Sequence, residues 1–129
     1  MQNDMLKRFL EDDLDSEKYQ VELIDDVIKL TNKELVEFPM FIDVSDDHIL
    51  IQAALLPYSE IPEANISDID DAVLRFNPIM PLSAVGKDKT GYVIYGELSE
   101  RSGRDEMIQE ILTLEDNLVS VLEFFKEYV

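Results

Sequence analysis

The apolar positions of the chain change period several times, and each change marks an element. Near the N-terminus Met5, Leu6, Phe9 and Leu10 share one helical face, and Asn3 or Asp4 can cap it. This predicts a short helix over residues 1–13, ended by the acidic stretch 11–17. Residues 19–30 fit two patterns. Tyr19, Val21 and Leu23 alternate as in a strand, while Leu23, Val27 and Leu30 stand at helical spacing. β-Branched residues dominate, so we read a two-strand meander turning at Asp25-Asp26, against the alternative of one helix.

The middle of the chain is clearer. Residues 38–44 read as a strand with Pro39 near its start, where a missing N–H is tolerated. Ser45-Asp46-Asp47-His48 is turn chemistry and residues 49–56 are the return strand, which makes a hairpin. Pro57 and Pro62 bracket a loop. Ser67 is expected to open a helix, with Asp70 approximating a capping box and Asp68, Asp70 and Asp71 in the first turn. Its buried stripe is Ile69, Ala72, Val73 and Phe76, and Pro78 and Pro81 stop it. Residues 82–85 and 92–98 are strand-like and joined by a glycine-bounded loop, 86–91. Ser102 or Gly103 starts a last helix that runs to the C-terminus. The elements predict a single α+β domain over 1–129, an antiparallel sheet with helices packed on it, in the order α-βββ-α-ββ-α.

The last helix is the most informative element. Met107, Ile111, Leu114, Leu118, Val121, Phe125 and Tyr128 are spaced 4-3-4-3-4-3, an unbroken heptad seam. A second row lies beside it: Ile108, Leu112, Val119, Leu122 and Val129. Together the rows span about 160°, whereas a helix packing on one core needs only about 100°. Phe124 adds an aromatic outside this arc. Either one wide groove buries both rows, or one row faces the sheet and the other a second subunit or a client protein. We favour the second, because a broad apolar patch left in water invites association. Ile108, Leu112, Val119, Leu122 and Phe124 are therefore the candidate dimer or partner surface.

Charge narrows the classes of partner. There are 29 acidic and 11 basic side chains, a formal net charge of −18. Binding to a nucleic-acid backbone runs on Lys and Arg displacing counterions, so nucleic acid is not an expected partner. An anionic membrane surface repels such a chain too, and no apolar run approaches a membrane span. The charge is uneven. Residues 75–104 hold five basic residues, Arg75, Lys87, Lys89, Arg101 and Arg104, against three acidic ones. Those five form a candidate docking spot for an acidic partner, or for another copy's acidic face.

Catalytic residue types are scarce. The chain has no cysteine and one histidine, so a Ser–His or Cys–His nucleophile has almost nothing to be built from. Paired carboxylates carry no information among 29 acids. A metal-dependent enzyme or sensor built on Asp43, Asp46, Asp47 and His48 is conceivable by residue type, but transition-metal sites want several His or Cys ligands. The segment 86–91 lacks the Walker spacing and reads as a hairpin tip. We expect no cofactor, no metal and no enzymatic activity. The N-terminal stretch lacks a signal-peptide pattern and cysteine is absent, so a cytoplasmic protein is expected.

Several runs carry a resemblance. Leu55-Leu56-Pro57, the run Asn77 to Ser83, Tyr92-Val93-Ile94-Tyr95-Gly96-Glu97-Leu98-Ser99 and Glu110-Ile111-Leu112-Thr113-Leu114-Glu115-Asp116-Asn117 occur in order. They are similar to the small YjfI-like proteins of bacteria, a family without an assigned activity, over roughly residues 36–129. The element order also resembles the type III secretion chaperone fold. That resemblance implies a small, acidic, cytoplasmic homodimer that holds partly unfolded secreted clients on apolar patches. The YjfI-like resemblance implies instead a regulatory partner of a membrane-stress system, with a phage-shock-protein-A-like coiled coil as its partner.

Overall fold

Two aspartates decide how the first quarter of the chain folds. Asp25 and Asp26 both adopt left-handed backbone, at φ 48° and 66°. Two such residues in succession make the tight hairpin turn whose twist matches that of paired strands. Residues 19–30 therefore form strands and not a helix. The computed structural model describes residues 3–45 and 47–129. In it α1 (Asn3–Asp13) leads into the hairpin β1 (Tyr19–Ile24) and β2 (Val27–Asn32). The Asn3 side-chain amide donates to the Asp26 carbonyl and ties the start of α1 to this turn.

The chain continues through β3 (Met40–Ser45) and the long β4 (His48–Pro57), then α2 (Ile66–Phe76), β5 (Ala84–Lys87), β6 (Gly91–Ser99) and α3 (Arg104–Phe125). Four strands precede α2, two from the meander over 19–30 and two from the hairpin over 38–56, one more than the order α-βββ-α-ββ-α counted. The six strands form one antiparallel sheet in the order β1-β2-β3-β4-β6-β5. This is the expected α+β class.

Register lines up the core. Ile28, Ile42, Ile51 and Gly96 stand opposite one another across four strands. With Leu30, Met40, Ile49, Ala53, Tyr92 and Ile94 the three isoleucines join one buried cluster, to which α1 adds Leu6, Phe9 and Leu10 and α2 adds Ile69 and Val73. The alternate positions face the other way, where Phe41, Gln52 and Tyr95 form an exposed row.

Two expectations of local structure change. The helix expected to open at Ser67 begins at Ile66 and runs straight out of a 3-10 turn, Glu63–Asn65. No extended capping residue precedes it, and Asn65 at the cap position has helical backbone and no capping bond. The Asn65 amide donates instead to the Tyr128 carbonyl at 2.9 Å. Of the three aspartates only Asp68 lies in the first turn. The strand expected over 82–85 starts at Ala84, because Leu82 takes left-handed backbone at φ 63°. The Asn77 side chain then exchanges two 2.9 Å hydrogen bonds with the Val85 backbone. It thereby occupies backbone groups that a further strand would use.

Gly91 is the tightest crossing. A Cβ there would fall onto the Leu56 carbonyl and stand 2.7 Å from Pro57 Cα, and neither backbone atom can swing aside. Gly91→Ala should cost about 2–3 kcal/mol, as overpacking does, visible as a lower urea midpoint. An unchanged midpoint would mean that the β4–β6 crossing is loose.

Candidate protein-binding surface

The seam of α3 goes into the core as its spacing predicts. Met107, Ile111, Leu114, Leu118, Val121 and Phe125 are buried, and Tyr128, on the closing 3-10 turn, is half-buried. Phe125 meets the Tyr92 ring at 5.3 Å between centroids. Two acids share this buried side, Glu110 (4% exposed) and Glu115 (8%). The sequence reading did not single them out. Their signal was position alone, since both stand three or four residues from seam members.

The two acids are held differently. Glu115 accepts hydrogen bonds from the Tyr19 hydroxyl and, at 2.5 Å, from the Asn32 amide. Tyr19 and Asn32 face each other across β1 and β2, so one carboxylate pins the far hairpin to α3. Burial, reinforced by the Glu115 hydrogen bond and charge, pushes the Tyr19 hydroxyl well above the usual phenol range and keeps it a donor. Glu110 lies over Gly96, where an added Cβ would fall onto its carboxyl oxygen. Burial pushes its carboxyl up, towards the neutral form.

The second row of α3 stays outside the core. Leu112 and Val119 are 44% and 49% exposed and Val129 is also exposed, while Ile108, Leu122 and Phe124 are half-buried. Phe124 turns to the α2 side. Its ring meets Phe76 edge-on at 5.5 Å and Tyr128 at 5.1 Å. With Ile79, Met80 and Val121 the Phe76 and Phe124 rings line a groove of about 280 Å³ between the end of α2 and α3. Ile79 is 82% exposed at its lip. The Asn117 amide donates to the Pro81 carbonyl at 2.8 Å and to Ser83 Oγ at 2.6 Å, which holds the loop that carries Leu82. Along the first half of α3 a second groove, of about 650 Å³, runs beside the end of α1. Ile108 and Leu112 are among its lining residues, with Asp12, Asp13, Asp105 and Asp116.

The five basic residues do not converge. Lys87 and Lys89 sit by the β5–β6 turn and Arg101 and Arg104 beyond the other end of β6. Nine residues of strand separate the groups, about 27–30 Å at the usual rise. Most are engaged locally. Arg75 pairs with Asp71 at 2.9 Å, Lys87 with Asp70 at 3.0 Å, and Arg104 stacks over Phe9 and reaches Asp13 at 3.8 Å. Lys87 also lies over the Tyr58 and Tyr92 rings. Burial works to raise the Asp70 carboxyl, but hydrogen bonds from Tyr92 and Lys87, with the Lys87 charge, outweigh it and hold the group below its ordinary value.

His48 is exposed and its Nδ1 stands 3.0 Å from Glu97. Asp43 and Asp47 both precede it in sequence, and Asp46 lies outside the described residues. Among the described residues no three His, Cys, Asp or Glu side chains gather as metal ligands. At the tip of 86–91 the Asp88 carboxylate accepts from the Thr90 N–H, the Thr90 hydroxyl and the Gly91 N–H, a self-contained turn. Among the described residues, no helix is long and apolar enough to cross a membrane.

Comparison with known proteins agrees with the fold. The family model described as "Uncharacterized protein conserved in bacteria (DUF2170)" matches residues 2–129. The chain is 31% identical over 84 residues to "Uncharacterized protein YjfI" of Escherichia coli (strain K12), a match that spans 62% of this chain and 62% of the relative's length. Among solved structures it is similar to YbjN from E. coli, with a TM-score of 0.67 at 17% identity, covering 94% of this chain and 89% of that one. The structure of the HopA1-SchA chaperone-effector complex gives 0.65 at 14%, covering 93% and 91%. The ExsC-ExsE complex gives 0.57 at 15%, covering 97% and 90%. The fold is thus the type III secretion chaperone-like one that the element order resembled.

Glu110 makes the stability of this surface depend on pH. Its folded value is raised, so its contribution is fully present below the ordinary value of 4.5 and is lost as pH rises through the folded value. Glu110→Gln stays neutral and avoids that loss. It should resist urea better than wild type at neutral pH, with the gap closing in acid. A variant that is weaker than wild type at neutral pH would contradict this.

Proposed function

As the chain belongs to the DUF2170 family, we propose that it is a non-enzymatic protein-binding module, chaperone-like in action, working as a homodimer in the cytoplasm. The observation that carries this reading is the α2–α3 groove. A stable core leaves no reason for Phe76, Met80 and Phe124 to remain half-open around Ile79, which is almost wholly in water. The edge-on rings give the groove a preformed shape, and the flexible thioether of Met80 lets it accept different apolar side chains. The groove has the scale of a few partner side chains, suited to an apolar segment of a client. Similarity to a chaperone from a chaperone-effector complex supports the reading at the level of fold.

We assign self-association to Val119 and Leu122, further along the outer row. The YjfI-like resemblance implies a second reading, in which the partner is a single coiled-coil protein of phage-shock-protein-A type. One stoichiometric helical partner on co-purification would favour it over a spread of unfolded clients.

Capture is tested by light scattering of a thermally unfolding reporter enzyme. The wild type should suppress its aggregation, and Ile79→Glu should lose suppression while keeping the wild-type melting temperature, because that side chain packs on little. Equal suppression by both proteins would remove the groove from the reading. Static light scattering should give twice the chain mass for the wild type and one chain mass for Val119→Glu. A wild type that is monomeric at tens of micromolar, roughly a weak-dimer scale, would end the dimer assignment.

A further inference from the structure

We propose that the groove between the end of α1 and the first half of α3 seats a lysine- or arginine-rich amphipathic helix of a partner protein. Its apolar side would lie on Ile108 and Leu112, and its cations would face Asp12, Asp13, Asp105 and Asp116. This rests on the protein-binding reading and names the chemistry of one partner surface. The starting observation is apolar. Leu112 is 44% exposed and Ile108 half-buried on a helix whose other long apolar side chains in the same half are in the core. From Asp105 to Asp116 the groove follows twelve residues of α3, about 16 Å, or three helical turns. A helix laid alongside would present side chains at i, i+3 and i+4 to such a surface.

Charge decides which helix. Asp12 and Asp13 stand in the last turn of α1, which carries no basic residue. That end of a helix is already negative, so two carboxylates there are electrostatically unfavourable. Asp105 is accommodated by the first turn of α3, but Asp116 lies well beyond it. Among the described residues the one cation paired with these four is Arg104, 3.8 Å from Asp13. A cationic partner relieves this arrangement. A second copy would set four aspartates against four more, on chains that each carry −18, so it does not suit this groove.

The probe is a labelled synthetic helix of about four turns, leucine on one face and lysine on its flanks, read by fluorescence anisotropy against the full chain. A twin with glutamate for lysine is the control. The lysine peptide should bind saturably and more weakly in high salt, and the glutamate twin should not bind. Leu112→Gln should weaken binding roughly tenfold, and replacing all four aspartates by asparagine should weaken it further. A control that neutralises Asp25, Asp26, Glu60 and Glu63 as amides should stay within about twofold. The proposal falls if that control weakens binding as much as the groove variant, since the attraction would then be general. It also falls if Leu112→Gln changes nothing, or if the twin binds equally well. Should the lysine peptide fail while Ile79-dependent capture persists, this inference alone is lost. If both fail, the protein-binding reading goes with it.

Discussion

The packing of α3 against β6 and β4 is the constraint from which the rest of the molecule follows. Its seam buries six large apolar side chains, and each such burial is worth about 1.5–3 kcal/mol. The same surface has to accommodate two carboxyl groups. Glu115 is satisfied by reaching across to Tyr19 and Asn32, and so locks the distant β1–β2 hairpin to the helix. Glu110 fits only because residue 96 is glycine. Neither acid adds to the core in the way a leucine would. Together they fix where along the sheet α3 sits, because a shift would strand one acid without partners and drive the other into β6.

Once α3 is placed, its two flanks become different surfaces. On one side α2 and the following turn stop short of closing, and the Phe76 and Phe124 rings line an apolar groove. On the other, the end of α1 brings two aspartates beside two more on α3, around Ile108 and Leu112. The width of the apolar arc and the excess of acid are two sides of one design. The arc leaves apolar area at the surface, and the acid surrounds that area with negative charge.

Much of this was legible in the chain. The heptad spacing of α3, the hairpin over 38–56 and the divided segment 19–30 all follow from periods of two and of 3.6, which the backbone imposes locally. The dipeptide Asp25-Asp26 could be read as a turn because aspartate tolerates left-handed backbone. The cap at Ser67 misled, because a preceding 3-10 turn leaves no extended residue to act as cap. The strand expected at Leu82 misled in a similar way, since Asn117, 35 positions away, holds that loop through the flanking Pro81 and Ser83.

The sequence by itself determined the class of the protein: which segments are helix or strand, which row of α3 is core, and how large the acidic excess is. Those properties depend on neighbours a few residues apart and on total charge. Only the tertiary structure decided that α3 is flanked by an aromatic groove, which takes Phe124, and an acidic one, which takes Ile108 and Leu112. It alone set Lys87 and Lys89 at one end of β6 and Arg101 and Arg104 beyond the other, and made Glu110 and Glu115 part of the core. Each depends on residues tens of positions apart meeting in space, and no periodicity along one element encodes which element will lie beside it.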